Sequence, residues 1–503
     1  MSAVYGIRWD DGKRIRIVAA LLAALMTTAV FVGMTAGGDR SMTSMVIAAR
    51  SGDTSAALHS VEALGGKVGA RISLIHGFLA KVPSNRISEL RAAKGVLSAV
   101  ADTPAHLSSN SGPGGPGASL KLVKQEIGAD VLANAGITGK GVDVAMIDSG
   151  VVPVPGLSKA SKVYVGPDFT PEANDSDTKG LDTFGHGTHL AGIITGENAA
   201  DGFSGVAPGS RLVSVKAATA DGDTSLGELL QAISWVVMHR ASDGLNIRVL
   251  NLSVGSQLIG SYTADPMSYA AEQAWKAGIV VVAAAGNGND ILGLDSPAAD
   301  PFVVAVGASD SGKTSAISDD MIPTWSRLGT SLRNADVVAP GTSLVSLRDP
   351  GSFVDQNHPE GLVDKDYFKG SGTSQAAAVV SASVALMLQK NPNLTPDQVK
   401  ALLVKGAVSV PKGTLLTQGA GEINVNRSTQ MYVPYAKQSF VEASLSAILN
   451  ANRSQDVNVD PGGTGKTLSA NRWSANRWSA NRWSANRWSA NRWSDSSWGD
   501  PTE

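Results

Sequence analysis

The chain has 503 residues and carries 42 Lys and Arg against 44 Asp and Glu, so its bulk charge argues against a nucleic-acid or anionic-membrane binder. It holds no cysteine, which removes disulfides, thiolate nucleophiles and cysteine metal sites. Its 55 glycines imply many tight turns and close backbone approaches.

Residues 1–38 read as a signal peptide or N-terminal anchor. Lys13, Arg14 and Arg16 precede an apolar run from Ile17 to Gly33, and "AGG" at 36–38 offers the small residues of a cleavage site. The run is nearly long enough to remain in the membrane uncleaved. Under either reading the rest of the chain is exported. Next comes a small mixed segment at 43–107. "SMVIAAR" and "FLAKVP" predict strands, "TSAALHSVEALGG" and "SNRISELRAAKG" predict helices that stop at glycine, and "VLSAV" predicts a closing strand. With "VGARISL" as a middle strand, the order is that of a ferredoxin-like fold. "SSNSGPGGPGAS" at 108–119 is a linker with no means of building a core.

From 120 to 430 the pattern alternates. "VDVAMID", "RLVSVKAAT", "RVLNLSVG", "GIVVVAAAGN" and "FVVAVGAS" are apolar runs without in–out alternation, as in a parallel sheet covered on both faces. "LGELLQAISWVVMHRAS", "YAAEQAWKAG" and "SQAAAVVSASVALMLQKN" are the helices between them. The expected fold class is α/β, a doubly wound, mainly parallel sheet. Residues 431–468 lose periodicity and read as a linker. Five copies of "SANRW" at 469–493 begin a repeat tail that runs to 503.

In such sheets reactive groups gather at the carboxyl ends of strands. "VAMIDSG" ends a strand on Asp148, "FGHGTHLAGII" sets His186 at the start of a helix, and "GSGTSQAAAVV" sets Ser374 at the start of another. A serine hydroxyl becomes nucleophilic when an imidazole removes its proton and a buried carboxylate holds the imidazole in one tautomer. "VVVAAAGN" ends a strand on Asn287, whose amide can donate to a developing oxyanion beside the backbone N–H of Ser374.

Taken in the order Asp…His…Ser, "MIDSG", "GHGTHLAG", "LNLSVG", "AAAGN", "VVAPGTSLVS" and "GTSQAAA" resemble the subtilisin-like serine peptidases over about residues 128–430. The resemblance implies a serine-type endopeptidase in which Asp148 orients, His186 is the general base and then acid, Ser374 is the nucleophile and Asn287 lines the oxyanion hole. It implies polypeptide substrates held along Ser253, Val254 and Gly255, with Gly222 to Thr224 opposite and Ala285 and Gly286 beside the oxyanion asparagine. It also implies that 43–107 is a propeptide, a partner of the enzyme that carries it, with "VADTPAHLSS" threading the cleft of a secreted zymogen. Asp295 falls near the base of the S1 pocket, where a free carboxylate would attract Lys or Arg; an ordinary solvated loop aspartate is the plainer reading. Two stretches depart from the family pattern, Gln375 in "GTSQA" and the loop "TWSRLGTSLRNADVVAPG".

No metal or other cofactor is expected. Asp168, Asp175, Asp177 and Asp182 are oxygen ligands of the kind calcium takes, but their spacing is not that of an EF-hand and reads as a solvated acidic loop. "PGGTGKT" has Asp460 where a phosphate loop needs its first glycine. The tail's period of five fits neither a strand nor one helical face. Arg472, Arg477, Arg482, Arg487 and Arg492 cannot all be buried, so the tail reads as an extended segment offering a Trp–Arg pair five times, to cell-wall polymer, to glycan or to the molecule's own cleft. The competing function is a non-catalytic surface-binding protein on the same fold. An α/β-hydrolase is excluded by the absence of a G-x-S-x-G elbow.

Overall fold

The computed structural model describes residues 41–107, 117–258, 260–288 and 292–448. The expected signal or anchor, most of the 108–119 linker and the pentads lie outside the described residues. Among the described residues no helix is long and apolar enough to cross a membrane.

The first module runs β1 (Met42–Ala49), α1 (Thr54–Ala63), β2 (Lys67–Ile72), β3 (Gly77–Pro83), α2 (Ile87–Ala92) and β4 (Val96–Ala101). Its sheet is antiparallel with strand order β2-β3-β1-β4, the arrangement of a ferredoxin-like fold. Alternate side chains on β1 face opposite ways. Met45, Ile47 and Ala49 join Phe78, Val82 and Leu90 in the module's own core, while Val46 and Ala48 join the core of the large domain. With both faces covered, β1 has no polar alternation to show.

The chain leaves the module through β5 (Pro104–Leu107). The large domain then provides β6 (Asp143–Asp148), β7 (Val163–Asp168), α3 (His186–Thr195), β8 (Arg211–Lys216), β9 (Asp223–Ser225), α4 (Leu226–His239), β10 (Ile247–Leu252), β11 (Val254–Gln257), α5 (Pro266–Lys276), β12 (Val280–Ala284), β13 (Val304–Ser309), β14 (Val337–Pro340) and α6 (Thr373–Lys390). Seven strands form one parallel sheet in the order β14-β13-β12-β10-β6-β8-β7. Val249, Leu250, Val281, Val282, Val304 and Val306 are fully buried because helices cover the sheet. α6 is buried from Thr373 to Leu388, and its run of alanines lets it lie close against α3 and the sheet. A helix apolar all round belongs inside. Its two mid-helix serines are satisfied there, Ser381 Oγ donating to Asn251 Oδ1 at 2.8 Å and Ser383 Oγ to Val379 O at 2.8 Å.

The stretch read as a linker from 431 is docked on the domain as far as 448. Gln438 Nε2 donates to Phe302 O at 2.9 Å, Lys276 pairs with Glu442 at 2.8 Å, and Ala443 N donates to Glu272 Oε1 at 2.7 Å. These contacts are made singly by a chain that is mostly without regular structure, so no periodicity announces them.

Candidate active site

β6 carries Asp148 to the carboxyl edge of the sheet, and α3 starts opposite it. Gly185 has φ of 103°, and a Cβ on Gly187 would collide with Gly150 O. "GHG" is therefore the sequence that lets a helix begin against the loop after β6. Asp148 Oδ1 accepts from His186 Nδ1 at 2.7 Å and from Ser149 N at 2.9 Å. Both side chains are buried. That contact turns His186 Nε2 the other way, and Nε2 has no hydrogen-bond partner among the described residues. His189, on the same helix, is not part of this pair. Burial, with His186 nearby, pushes it down to about 4, so it stays neutral. A small cavity beside His186 is lined by His189, Gln375 and Asp349, which sets the first turn of α6 near the imidazole.

Ser374 is buried in that first turn, and its Oγ lies 3.4 Å from Ser253 O. Asn287, three residues past β12, accepts at Oδ1 from Thr373 N and Thr373 Oγ1, both at 3.1 Å. Because Thr373 N can only donate, Oδ1 is fixed in place and the amide Nδ2 faces away. Nδ2 is buried and has no partner among the described residues. A buried donor without an acceptor, next to a helix N-terminus, is suited to a charge that appears only during reaction.

β5 lies between β9 and β11, antiparallel to both. His106 pairs with Asp223 on one side and Gly255 on the other, Leu107 pairs with Val254, and Ala105 pairs with Thr224. Leu107 N also reaches Gly222 O at 3.4 Å. The two segments assigned to substrate thus form a groove that holds a strand of this same chain by main-chain hydrogen bonds. Ala105 enters an apolar recess lined by Leu226, Leu229 and Met267.

Asp295 is not a solvated loop residue. It is buried, its strand pairs with β11, and it sits between Gly255 and Gly286, where a Cβ on Gly286 would collide with its Oδ2. The absence of side chains at both glycines makes room for Asp295 between them. Burial pushes its carboxyl up to about 6 against the pull of Arg327, whose Nη1 lies 3.2 Å from Oδ1. Arg327 also donates to Asn287 O at 3.3 Å. Reasoning from the sequence missed this arginine. Its signal was a basic residue in the unusual loop, which pairs with Asp295.

The loop acids do not converge. Asp168 accepts from Thr170 and Gly180 N, Asp175 accepts from Asp177 N, and Asp182 accepts from Phe184 N, Gly185 N and Thr188 N. Backbone donors occupy oxygens that a cation would need.

Residues 139–424 match the model of the subtilase family, Peptidase S8. The chain is 35% identical over 301 residues to serine protease AprX of Bacillus subtilis (strain 168), covering 58% of this chain and 67% of that protein. It is 32% identical over 297 residues to subtilisin BL of Lederbergia lenta, covering 59% of this chain and 94% of that protein. The crystal structure of fervidolysin from Fervidobacterium pennivorans, a keratinolytic enzyme related to subtilisin, superposes with a TM-score of 0.62 at 22% identity, over 80% of this chain and 63% of that one. At that identity the likeness concerns the fold.

Proposed function

Since the chain belongs to the subtilase family of serine proteases, we propose that it is an exported endopeptidase, made as a precursor, that cleaves peptide bonds through an acyl-enzyme on Ser374. The observation that carries this reading is the buried Asp148–His186 contact at 2.7 Å, which leaves Nε2 directed away from the carboxylate. In the reaction His186 Nε2 takes the Ser374 proton as Oγ bonds to the scissile carbonyl carbon. Asn287 Nδ2 and Ser374 N hold the resulting oxyanion. His186 then gives the proton to the leaving amine, and water repeats the sequence to release the acid. Asp148 keeps its charge and stabilises the imidazolium. Ser374 Oγ turns from Ser253 O toward Nε2 to begin; such hydrogen bonds commonly tighten only when substrate is bound.

β5 supports the precursor reading, because a substrate added as a strand would take its place. In an antiparallel pair one more step in register sets the next residue of the bound chain opposite Ser253, whose carbonyl lies beside Ser374 Oγ. The precursor is accordingly cut after Ser108, and Ala105 marks the subsite for the fourth residue before the cut, where larger apolar side chains are preferred. The basic and apolar N-terminus supports export. The pentad tail is read as a weak multivalent binder of cell-wall polymer or glycan. A fluorophosphonate probe tests the central reading: the mature protein should label at Ser374, and a folded mature protein that neither labels nor hydrolyses peptides would return the chain to the non-catalytic class.

The floor of S1 carries an ion pair rather than a free charge. The wild type should therefore show little preference for arginyl over leucyl P1 substrates. Arg327→Leu leaves Asp295 without its counter-charge, and a substrate cation can replace it, so kcat/KM for arginyl substrates should rise relative to leucyl ones by roughly 10-fold or more. Asp295→Asn should shift selectivity the other way. If both variants keep the wild-type ratio, Asp295 does not touch the P1 side chain.

A further inference from the structure

Glu126 ends the helix Leu120–Glu126, at the start of the large domain. Asp320 lies in the 310–321 loop, whose ends are tied by the Asp310–Met321 bridge. Glu422 lies near the domain's end, held by backbone hydrogen bonds to Val408. These three carboxylates are 3%, 2% and 0% exposed, yet each offers an oxygen within 4.8 Å of the others. Apart from one another, both oxygens of Glu126, both of Asp320 and Oε1 of Glu422 have no hydrogen-bond partner among the described residues; Glu422 Oε2 is met by the Ser309 hydroxyl. No lysine or arginine pairs with any of the three among the described residues. Some buried acids elsewhere in the chain have a basic partner: Asp143 is paired with Arg211, Asp336 with Arg333 and Asp295 with Arg327.

Three carboxylates at this spacing cannot all ionise without a counter-charge. Without one, burial and the neighbouring acids push the carboxyls of Glu126 and Glu422 well above the usual carboxylate range. We propose that Glu126, Asp320 and Glu422 hold a divalent cation, calcium by preference, that clamps the beginning of the peptidase domain to its end. An all-oxygen set without nitrogen or sulfur selects the hard cations. Atoms up to 4.8 Å apart can share an ion lying at roughly 2.3–2.6 Å from each, the calcium range, after small side-chain movements. Ion binding at neutral pH displaces protons from the cluster. This site lies outside the catalytic machinery and does not depend on its assignment.

The test uses the full-length Ser374→Ala chain, to prevent self-digestion, after chelator treatment and dialysis. Calcium chloride is titrated calorimetrically in two buffers of different ionisation enthalpy, and thermal unfolding is followed in parallel. The parent chain should bind one calcium more than Glu126→Gln or Glu422→Gln, release protons on binding it, and gain roughly 5 °C more in midpoint at 100-fold excess over Kd. Equal stoichiometry and equal stabilisation in parent and variants overturn the proposal. So does a parent indifferent to calcium whose Gln variants are more stable in calcium-free buffer, since that is a cluster held by shared protons. If Glu422→Gln does not fold, Glu126→Gln and Asp320→Asn carry the comparison.

Discussion

Ser374→Ala is expected to abolish peptide hydrolysis, with kcat falling by roughly 10⁶-fold, the size of effect known when the nucleophile of such a triad is removed. The loss is this large because the serine is the atom that bonds to substrate, and no other side chain can replace its Oγ. Alanine fits the space, and the hydrogen bond seen to Ser253 O is long at 3.4 Å, so the fold should survive. The same variant should accumulate as precursor, with residues 43–107 still joined to the large domain and β5 still between β9 and β11. Intact-mass measurement on the purified variant checks both. Normal processing of a pure Ser374→Ala chain would show that another protease removes the module, and residual hydrolysis near the wild-type rate would refute the nucleophile itself.

Asn287→Leu is the second large effect. The substitution removes the buried Nδ2 donor, and transition-state stabilisation should drop by about 2.7–4 kcal/mol, a loss of roughly 10²–10³ in kcat. KM should change little, because the oxyanion exists only in the transition state. Leucine also deprives Thr373 of its acceptor at the start of α6, so some loss of thermal stability accompanies the variant. The split between kcat and KM separates the two consequences. A rise in KM with kcat preserved would mean that Asn287 holds the ground state or the fold and is not the oxyanion donor.

Much of this molecule could be read directly from the order of its residues. Strands buried on both faces need continuous apolar runs, so the parallel sheet was visible in "VDVAMID" and "FVVAVGAS". A helix that starts hard against the loop after β6 needs glycine, so "GHG" marked His186. Four short blocks in one order carried the family resemblance, with Asp148 at the end of β6, His186 and Ser374 in the first turns of α3 and α6, and Asn287 shortly after β12. The strands and helices of the small module were visible too, its first helix stopping just before Gly65 and its second at Ala92, short of Gly95. What remained for the tertiary structure were contacts between residues distant in the chain, which leave no period behind. Arg327 meets Asp295 across a loop and makes it half of an ion pair. Residues 431–448 dock through isolated side chains and so read as a linker. The family resemblance set "VADTPAHLSS" in the cleft, but the register of β5 against β9 and β11 rests on backbone hydrogen bonds, which any sequence without proline at the bonded positions can make. Glu126 and Glu422 stand nearly 300 positions apart, and only the folding of the domain's two ends onto one another brings their carboxylates, with that of Asp320, to a single point.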